Sequence, residues 1–270
     1  MTQPFWKMHG AGNDFILFDD RAGLFPLANR EWMASVAARR TGVGCEGIIL
    51  LQAASDADFR MRFFNPDGRA AEMCGNGARC AARLAFELGI APASMTIVTD
   101  AGVVHANVNG DAVELSLPDP VDIAPCYDLE VDEHPVSCGS VNTGVPHVML
   151  EVQDLDEAPV ATLGATIRHH PHFAPAGTNV NFVRCVDTSH IEIRTYERGV
   201  EAETGACGTG AAAAAIVMTL RGRTTPPVTV TTVTGDQLHI GLERQGDSVT
   251  SLTLAGPAVH VYMSSIELPA

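Results

Sequence analysis

Lysine is nearly absent from this chain of 270 residues: of its seventeen basic side chains, Lys7 is the only lysine. Pyridoxal phosphate enzymes hold their cofactor through a lysine Schiff base, and Lys7 falls in a short N-terminal segment that reads as strand, which argues against pyridoxal chemistry. Long apolar runs are missing too. None approaches the ~20 residues that span a bilayer, so no membrane partner is expected. Positive charge is scarce, and the net charge of −15 with a pI near 4.9 leaves no basic stripe to neutralise phosphates. Nucleic acid is therefore not an expected partner. The N-terminal stretch "MTQPFWKMHG" lacks the basic segment, apolar segment and cleavage site of a secretory signal. The seven cysteines are accordingly expected to remain thiols in the cytoplasm. No metal is expected either, because Cys74 and Cys80 have the wrong spacing for a ligand pair. The "HHPH" tract from His169 to His172 has no acidic or cysteine neighbours at matching spacing and reads as a solvated loop.

What is present is a repeated phrase. "AAEMCGNGARCAAR" (70–83) and "VEAETGACGTGAAAAA" (200–215) each set a cysteine before Gly-x-Gly-Ala and an alanine-rich run. Upstream, Gly68 precedes Cys74 by six residues and Gly199 precedes Cys207 by eight, so each half presents strand, turn, loop, cysteine and helix. Stretches such as "FILFD", "GIILLQ", "DFRMRFFN", "MTIVTD", "GVVHANV" and "AVELSLP" read as strands. The best helical runs of the first half are "REWMASVAARRTG", closed by Gly42, and "CGNGARCAARLAFELG", closed by Gly89. The segment "LPDPVDIAPCYDL" reads as turn-rich, and the same order of elements restarts after it, with a short helix near "ATLGATIRHHP" and a final one in "CGTGAAAAAIVMTLRG". With the cysteines 133 residues apart, two copies suit two pseudo-symmetric domains facing each other across a cleft.

A helix N-terminus carries about half a positive charge, binds carboxylate or phosphate, and depresses the pKa of a nearby thiol. Two such ends converging on one anion suit the inversion of an amino acid's α-carbon, where one base removes a proton and an acid on the opposite face returns one. That chemistry needs no cofactor. The glycines lack the lysine of a phosphate-binding Walker loop. Cys45, Cys80, Cys126, Cys138 and Cys185 stand in apolar or strand-like contexts and read as packing residues. His9 in "KMHGAGNDF" and His147 in "VNTGVPHVM" occupy paired places in the two halves, and one of them is a candidate to reach the cleft.

With these residues assembled, the chain resembles the diaminopimelate epimerase family through "KMHGAGNDF", "FFNPDG", "MCGNGARC", "GVPH", "GTNVNF", "YERG", "ACGTGA" and "GPAVHVY". The resemblance implies an isomerase that interconverts LL- and meso-2,6-diaminoheptanedioate (diaminopimelate) without a cofactor, in lysine and peptidoglycan biosynthesis. It implies an α+β fold of two pseudo-symmetric domains, each a β-barrel-like sheet around a central helix, with the active site between them. The halves are drawn at 1–117, with a returning strand at 261–270, and at 118–260. A homodimer is plausible by the same resemblance. Carried over by position, Cys74 and Cys207 match the acid/base pair, with His147 and Glu197 as neighbours that tune and orient the thiols. Gly75, Asn76, Gly208 and Thr209 match the donors that hold the reacting carboxylate. Asn13, Asn65, Asn179, Glu197 and Arg198 match residues that contact substrate. Gly47 and Val145 depart from the pattern, standing where several members carry Gln and many carry Asn. Two other readings stay open: a cofactor-independent racemase of another amino acid such as histidine, and a non-catalytic thiol–disulfide redox protein.

Overall fold

Period-two patterning puts most of the chain into strands. In β2 (Asn13–Asp19) and β3 (Gly47–Gln52), which pair in parallel, Phe15, Leu17, Ile49 and Leu51 face one side and Ile16, Phe18, Ile48 and Leu50 the other. Strands buried on both faces lose their polar alternation and read as continuous apolar runs, as "FILF" and "GIILL" do. The computed structural model describes residues 1–269.

Contacts divide the chain into two units, Met1–Leu115 together with the described residues from Gly256 onward, and Ser116–Ala255. The sequence reading drew these lines after 117 and at 261. The first unit contains β1 (Thr2–Gly10), β2, α1 (Arg30–Ala37), β3, β4 (Phe59–Phe64), β5 (Ala70–Ala71), α2 (Gly75–Glu87), β6 (Ser94–Thr99), β7 (Gly102–Asn109) and β8 (Ala112–Ser116). The last strand of the chain, β18 (Val259–Glu267), pairs with β1. The second unit contains β9 (Val121–Val131), β10 (His134–Asn142), β11 (Pro146–Glu151), α3 (Thr162–Arg168), β12 (Asn179–Cys185), β13 (His190–Glu197), β14 (Ala202–Thr204), α4 (Gly208–Leu220), β15 (Val228–Thr231), β16 (Gln237–Gln245) and β17 (Ser248–Pro257).

Strand for strand the two units share one topology. In the first, β18, β1, β2, β3, β4, β6, β7 and β8 pair in that order; in the second, β9, β10, β11, β12, β13, β15, β16 and β17 do. Both series run antiparallel throughout except at the third and fifth junctions, which are parallel: β2–β3 and β4–β6 in one, β11–β12 and β13–β15 in the other. The sheet of each unit wraps one helix. Helix α2 touches β1, β2, β3, β4 and β7, and α4 touches β9 to β13, β15 and β16. Small residues make that enclosure possible: Ala78, Ala81, Ala82 and Ala85 of α2 and Ala211 to Ala215 of α4 are buried, so strands approach the helix axis from several sides. The expected α+β architecture of two barrel-like units around central helices is what the chain forms.

Three sequence expectations change in detail. Helix α1 ends at Ala37, with Ala38 extended, and Gly42 packs back over it, where a Cβ would run into the carbonyl oxygens of Ser35 and Val36. Gly42 is thus a close-approach glycine and not a helix cap. The proline-containing stretch read as turns is largely β9, in which the register slips opposite Cys138 and Ser140 and so accommodates Pro125, which has no N–H to give a ladder. Finally, of the five cysteines read as packing residues, Cys45, Cys80 and Cys138 are buried, but Cys185 is half-buried and Cys126 is exposed on β9.

Candidate active site

Both repeated cysteines occupy the same local position. Cys74 and Cys207 are the N-cap residues of α2 and α4, each in extended conformation (φ −139°, ψ 117° and φ −125°, ψ 106°), and each helix runs thirteen residues. Their carbonyls accept the first intrahelical bonds, from Ala78 N at 2.8 Å and Ala211 N at 2.9 Å. Neither cysteine caps its helix with its side chain. The N–H groups of Gly75, Asn76 and Gly77, and of Gly208, Thr209 and Gly210, therefore have no intrahelical partner and carry the positive end of the helix dipole. Such an end can hold a carboxylate and favours a thiolate beside it. Both thiols are partly accessible.

Beneath these matching helix starts the floors differ. The third residue after each cysteine is a glycine where the helix presses on the sheet: a Cβ on Gly77 would meet Ile49 Cδ1 at 2.7 Å, and one on Gly210 would meet Asn181 Oδ1 at 2.7 Å and Cys207 Sγ at 3.3 Å. Register makes the comparison exact in topology. Ile49 lies opposite Leu17 and Phe63, as Asn181 lies opposite Met149 and Thr195. Phe15 pairs with Gly47 as His147 pairs with Asn179. The first unit thus floors its helix with Phe15, Ile49 and Phe63, whose two rings make an edge contact at 6.2 Å. The second places His147, Asn181 and Thr195 at the same positions, all buried.

These polar groups form a chain. Thr195 Oγ1 donates to Asn181 Oδ1 at 2.9 Å, and Asn181 Nδ2 donates to Val148 O at 3.1 Å and lies 3.2 Å from His147 Nδ1. His147 Nε2 lies 3.0 Å from Thr209 Oγ1, which lies 3.5 Å from Cys207 Sγ. Burial pushes the imidazole pKa from 6.5 to about 3, and the charge of Arg198 adds to the effect, so the ring is neutral. His147 therefore reaches the thiol through Thr209 and brings no charge to it. A cavity of about 310 Å³, lined in part by Asn142, Pro146, His147, His172 and Thr178, opens beside it. His9, the other member of the histidine pair, is half-buried and its Nδ1 accepts a long bond from Gly12 N at 3.4 Å.

The remaining candidates are placed as follows. Asn13 opens β2, half-buried, and its Oδ1 is a buried acceptor with no partner among the described residues. Asn65 is exposed in the turn after β4, where its backbone closes Asn65–Gly68, with Gly68 at φ +76°. Asn76 is buried and its Oδ1 accepts from Arg79 Nη2 at 2.9 Å. Asn179 is also buried and ties two strand ends, donating to Pro146 O at 3.2 Å and accepting from Arg198 N at 2.8 Å. Glu197 Oε2 accepts from Thr204 Oγ1 at 2.7 Å, and the half-buried Arg198 sends Nη1 toward Ala176 O at 3.4 Å. Lys7 is buried in β1, paired with Asp14 and donating to Gly44 O.

Two contributors escaped the sequence reading. Asn181 lies inside "GTNVNF", and its sequence signal is that it follows Asn179 by two positions and so shares its strand face. Arg79 is the largest fully buried side chain and holds Asn76 while its Nε donates to Pro257 O at 3.3 Å. In the "HHPH" tract His170 Nε2 lies 2.9 Å from Glu130 O and His169 faces Glu201. No group of residues that could hold a metal occurs among the described residues. No helix among them is long and apolar enough to cross a membrane.

The fold defines a class of paired barrel-and-helix proteins. The structure is similar to that of a phenazine biosynthesis protein of the PhzF family from Bacillus anthracis, with a TM-score of 0.73, 17% identity and coverage of 99% of this chain and 100% of that one. It is similar also to a probable proline racemase from Agrobacterium radiobacter K84, with a TM-score of 0.69, 17% identity and coverage of 99% and 93%. Within that class the sequence is more specific. The family model for diaminopimelate epimerase matches residues 5–120 and 139–261, and the chain belongs to that family. The diaminopimelate epimerase of Aquifex aeolicus is 45% identical over 87% of this chain and 88% of its own length, and that of Chlorobaculum tepidum is 41% identical over 97% and 100%.

Proposed function

We propose that this chain is an amino-acid epimerase that interconverts LL- and meso-diaminopimelate, using Cys74 and Cys207 as a two-base pair. Family membership supplies the reaction. One observation carries the residue assignment: two topologically identical units each end a strand-and-turn segment with an extended cysteine at the N-terminus of a buried thirteen-residue helix.

Removal of an α-proton from an amino acid needs a base on one face and, for inversion, an acid on the other. In this reading one cysteine enters as thiolate and takes the proton, and the other enters as thiol and delivers its own to the opposite face. The next turnover in the reverse direction exchanges their roles. The carbanionic transition state pushes charge onto the α-carboxylate, where the helix N–H groups of Gly75, Asn76, Gly208 and Thr209 are suited to stabilise it. No cofactor enters this scheme. Asn13 Oδ1, a buried acceptor, suits the substrate ammonium, since buried acceptors without a partner call for one. Arg198 suits the distant carboxylate through paired hydrogen bonds, and Asn65, Asn179 and Glu197 complete the contact set. The reading also places the enzyme in the cytoplasm, where thiols stay reduced, as a homodimer that sedimentation would register.

The test is solvent deuterium uptake. In D₂O, with no cofactor added, LL-diaminopimelate should gain deuterium at an α-carbon as the meso isomer forms, followed by NMR. Uptake into histidine and not into diaminopimelate would shift the reading to another racemase, and no uptake into any amino acid would end it.

A further inference from the structure

We infer that Asn181, at the middle of β12, is a positioning residue that sets the proton pattern reaching Cys207 through His147 and Thr209, and so makes the two thiols chemically unequal. This rests on the two-base reading and extends it.

The hydrogen bonds determine the directions of the protons. Asn181 Nδ2 donates to Val148 O, which can only accept, and Asn181 Oδ1 receives Thr195 Oγ1–H; the amide is thus oriented, with its nitrogen toward the histidine. His147 Nδ1, facing an N–H donor, must be the bare nitrogen. A neutral ring then carries its proton on Nε2 and donates it to Thr209 Oγ1. With one lone pair occupied, the threonine hydroxyl still has its own proton to give and a second lone pair to offer. It donates to Cys207 when the sulfur is a thiolate and accepts S–H when it is a thiol. Both states of the acid/base cycle are served by one hydroxyl rotation, with no charge moved. An Nδ1–H ring would do the opposite. Its bare Nε2 would draw the Thr209 proton away from the sulfur and leave the thiolate without that donor.

The floor beneath Cys74 is built differently. The position that matches Asn181 is Ile49, flanked by Phe15 and Phe63, so the first thiol has an apolar floor. The other charged groups on these strands are tied elsewhere: Glu151 to Arg221 and Arg223, Arg184 to Glu192, Arg194 to Glu203 and Glu197 to Thr204, while Arg198 follows β13 with its backbone held by Asn179.

The experiment uses the full-length enzyme and three readouts. The ring nitrogens of His147 are read by ¹H–¹⁵N correlation, iodoacetamide labelling of each cysteine at neutral pH is followed by peptide mass spectrometry, and turnover of LL-diaminopimelate is resolved into kcat and KM. Wild type should show the Nε2–H ring. In Asn181→Leu the Nδ1–H form should appear and Cys207 labelling should slow about tenfold, the effect of raising a thiol pKa by about one unit. Cys74 labelling should stay within about twofold and kcat should fall with KM little changed. Where circular dichroism shows that the leucine variant does not fold, Asn181→Ala carries the same expectations. An Nδ1–H ring in wild type, Cys207 labelling that stays at the wild-type rate, or equal slowing of both cysteines would each overturn the inference. Tautomer and labelling need no substrate, so a wild type that takes up no deuterium would end the epimerase reading separately.

Discussion

A thiol at a helix N-cap is only as useful as the proton it exchanges, and at the scale of single residues the two cysteines are expected to be indispensable. Cys74→Ala and Cys207→Ala should each lower turnover by at least about 10³-fold, since a lost acid or base is worth about 10²–10⁴ and neither direction has a substitute. Circular dichroism should show both variants folded, because each cysteine is only half-buried and Cys74 packs at the edge of its core and not inside it. Near wild-type deuterium uptake by either variant contradicts the two-base scheme. His147 carries a second expectation. Its folded-state pKa of about 3 lies below the ordinary 6.5, so the unfolded chain binds a proton that the folded chain refuses. The stability this residue contributes is complete above 6.5 and is lost as pH falls through the window toward 3. One such proton is worth up to about 1.4 kcal/mol per pH unit. Urea titrations of wild type and His147→Gln between those limits should converge as the pH falls, and parallel curves would contradict it. The cysteines could be read from sequence because each is announced by its own glycines. For Asn181 the spacing from Asn179 marks a shared strand face but not its partners, which strand register sets, and Arg79 could not be read, since its partner lies 178 residues away.

Elements inherit this inequality. Gly77 and Gly210 stand at the same place in α2 and α4, and alanine inside a helix is ordinarily the better residue. The neighbours decide the sign. At Gly77 the obstacle is the terminal methyl of Ile49, which a rotamer change moves aside; at Gly210 it is the Asn181 carboxamide, tied by bonds to Thr195, Val148 and His147. Gly77→Ala should therefore shift stability by less than about 1 kcal/mol, whereas Gly210→Ala should cost about 1–3 kcal/mol as overpacking does. Denaturation midpoints of the two variants check this, and equal losses would show that the floors are equally yielding. The helices themselves were legible because the cysteine, glycine and alanine run marks each start, and Gly89, at φ +65°, closes α2 with Ile90 N bonded to Ala85 O at 2.8 Å. Strand β9 was not, because three prolines within 118–125 resemble turn chemistry and only pairing with β10 through a register slip reveals a strand. At Gly47, which stands where several members of the family carry Gln, a Cβ would run into the Phe63 ring. Packing accounts for that glycine.

At the scale of the whole molecule the duplication supplies the same cysteine-and-helix device twice, as the proposed two-base reaction requires. It does not say what the far end of the substrate carries. Val145 lacks the amide that many members of the family place before the proline and histidine, and the nearest side chains that could replace it are those of Asn142 and Thr143. The structure commits both: Thr143 Oγ1 donates to Thr209 O at 3.0 Å, holding the start of α4, and Asn142 Oδ1 accepts from Gly144 N at 3.0 Å. Of that pair only the amide nitrogen of Asn142 remains as a donor, and Asn142 does line the cavity beside His147. One hydrogen bond to a charged group is worth about 1.5–3 kcal/mol. In the proposed assignment Arg198, whose backbone N donates to Asn179 Oδ1 at 2.8 Å, gives the distant carboxylate two parallel bonds and a full charge, more than Val145 gives up. A site for a substrate without a second carboxylate would have no use for that arginine. LL-diaminopimelate should accordingly be turned over with kcat/KM at least about 100-fold above lysine or histidine, the ~2.7 kcal/mol of a recognised polar group. Arg198→Met should erase most of that margin by weakening diaminopimelate alone. Comparable rates for histidine and diaminopimelate in the wild-type deuterium assay would instead place this member of the family among general amino-acid racemases.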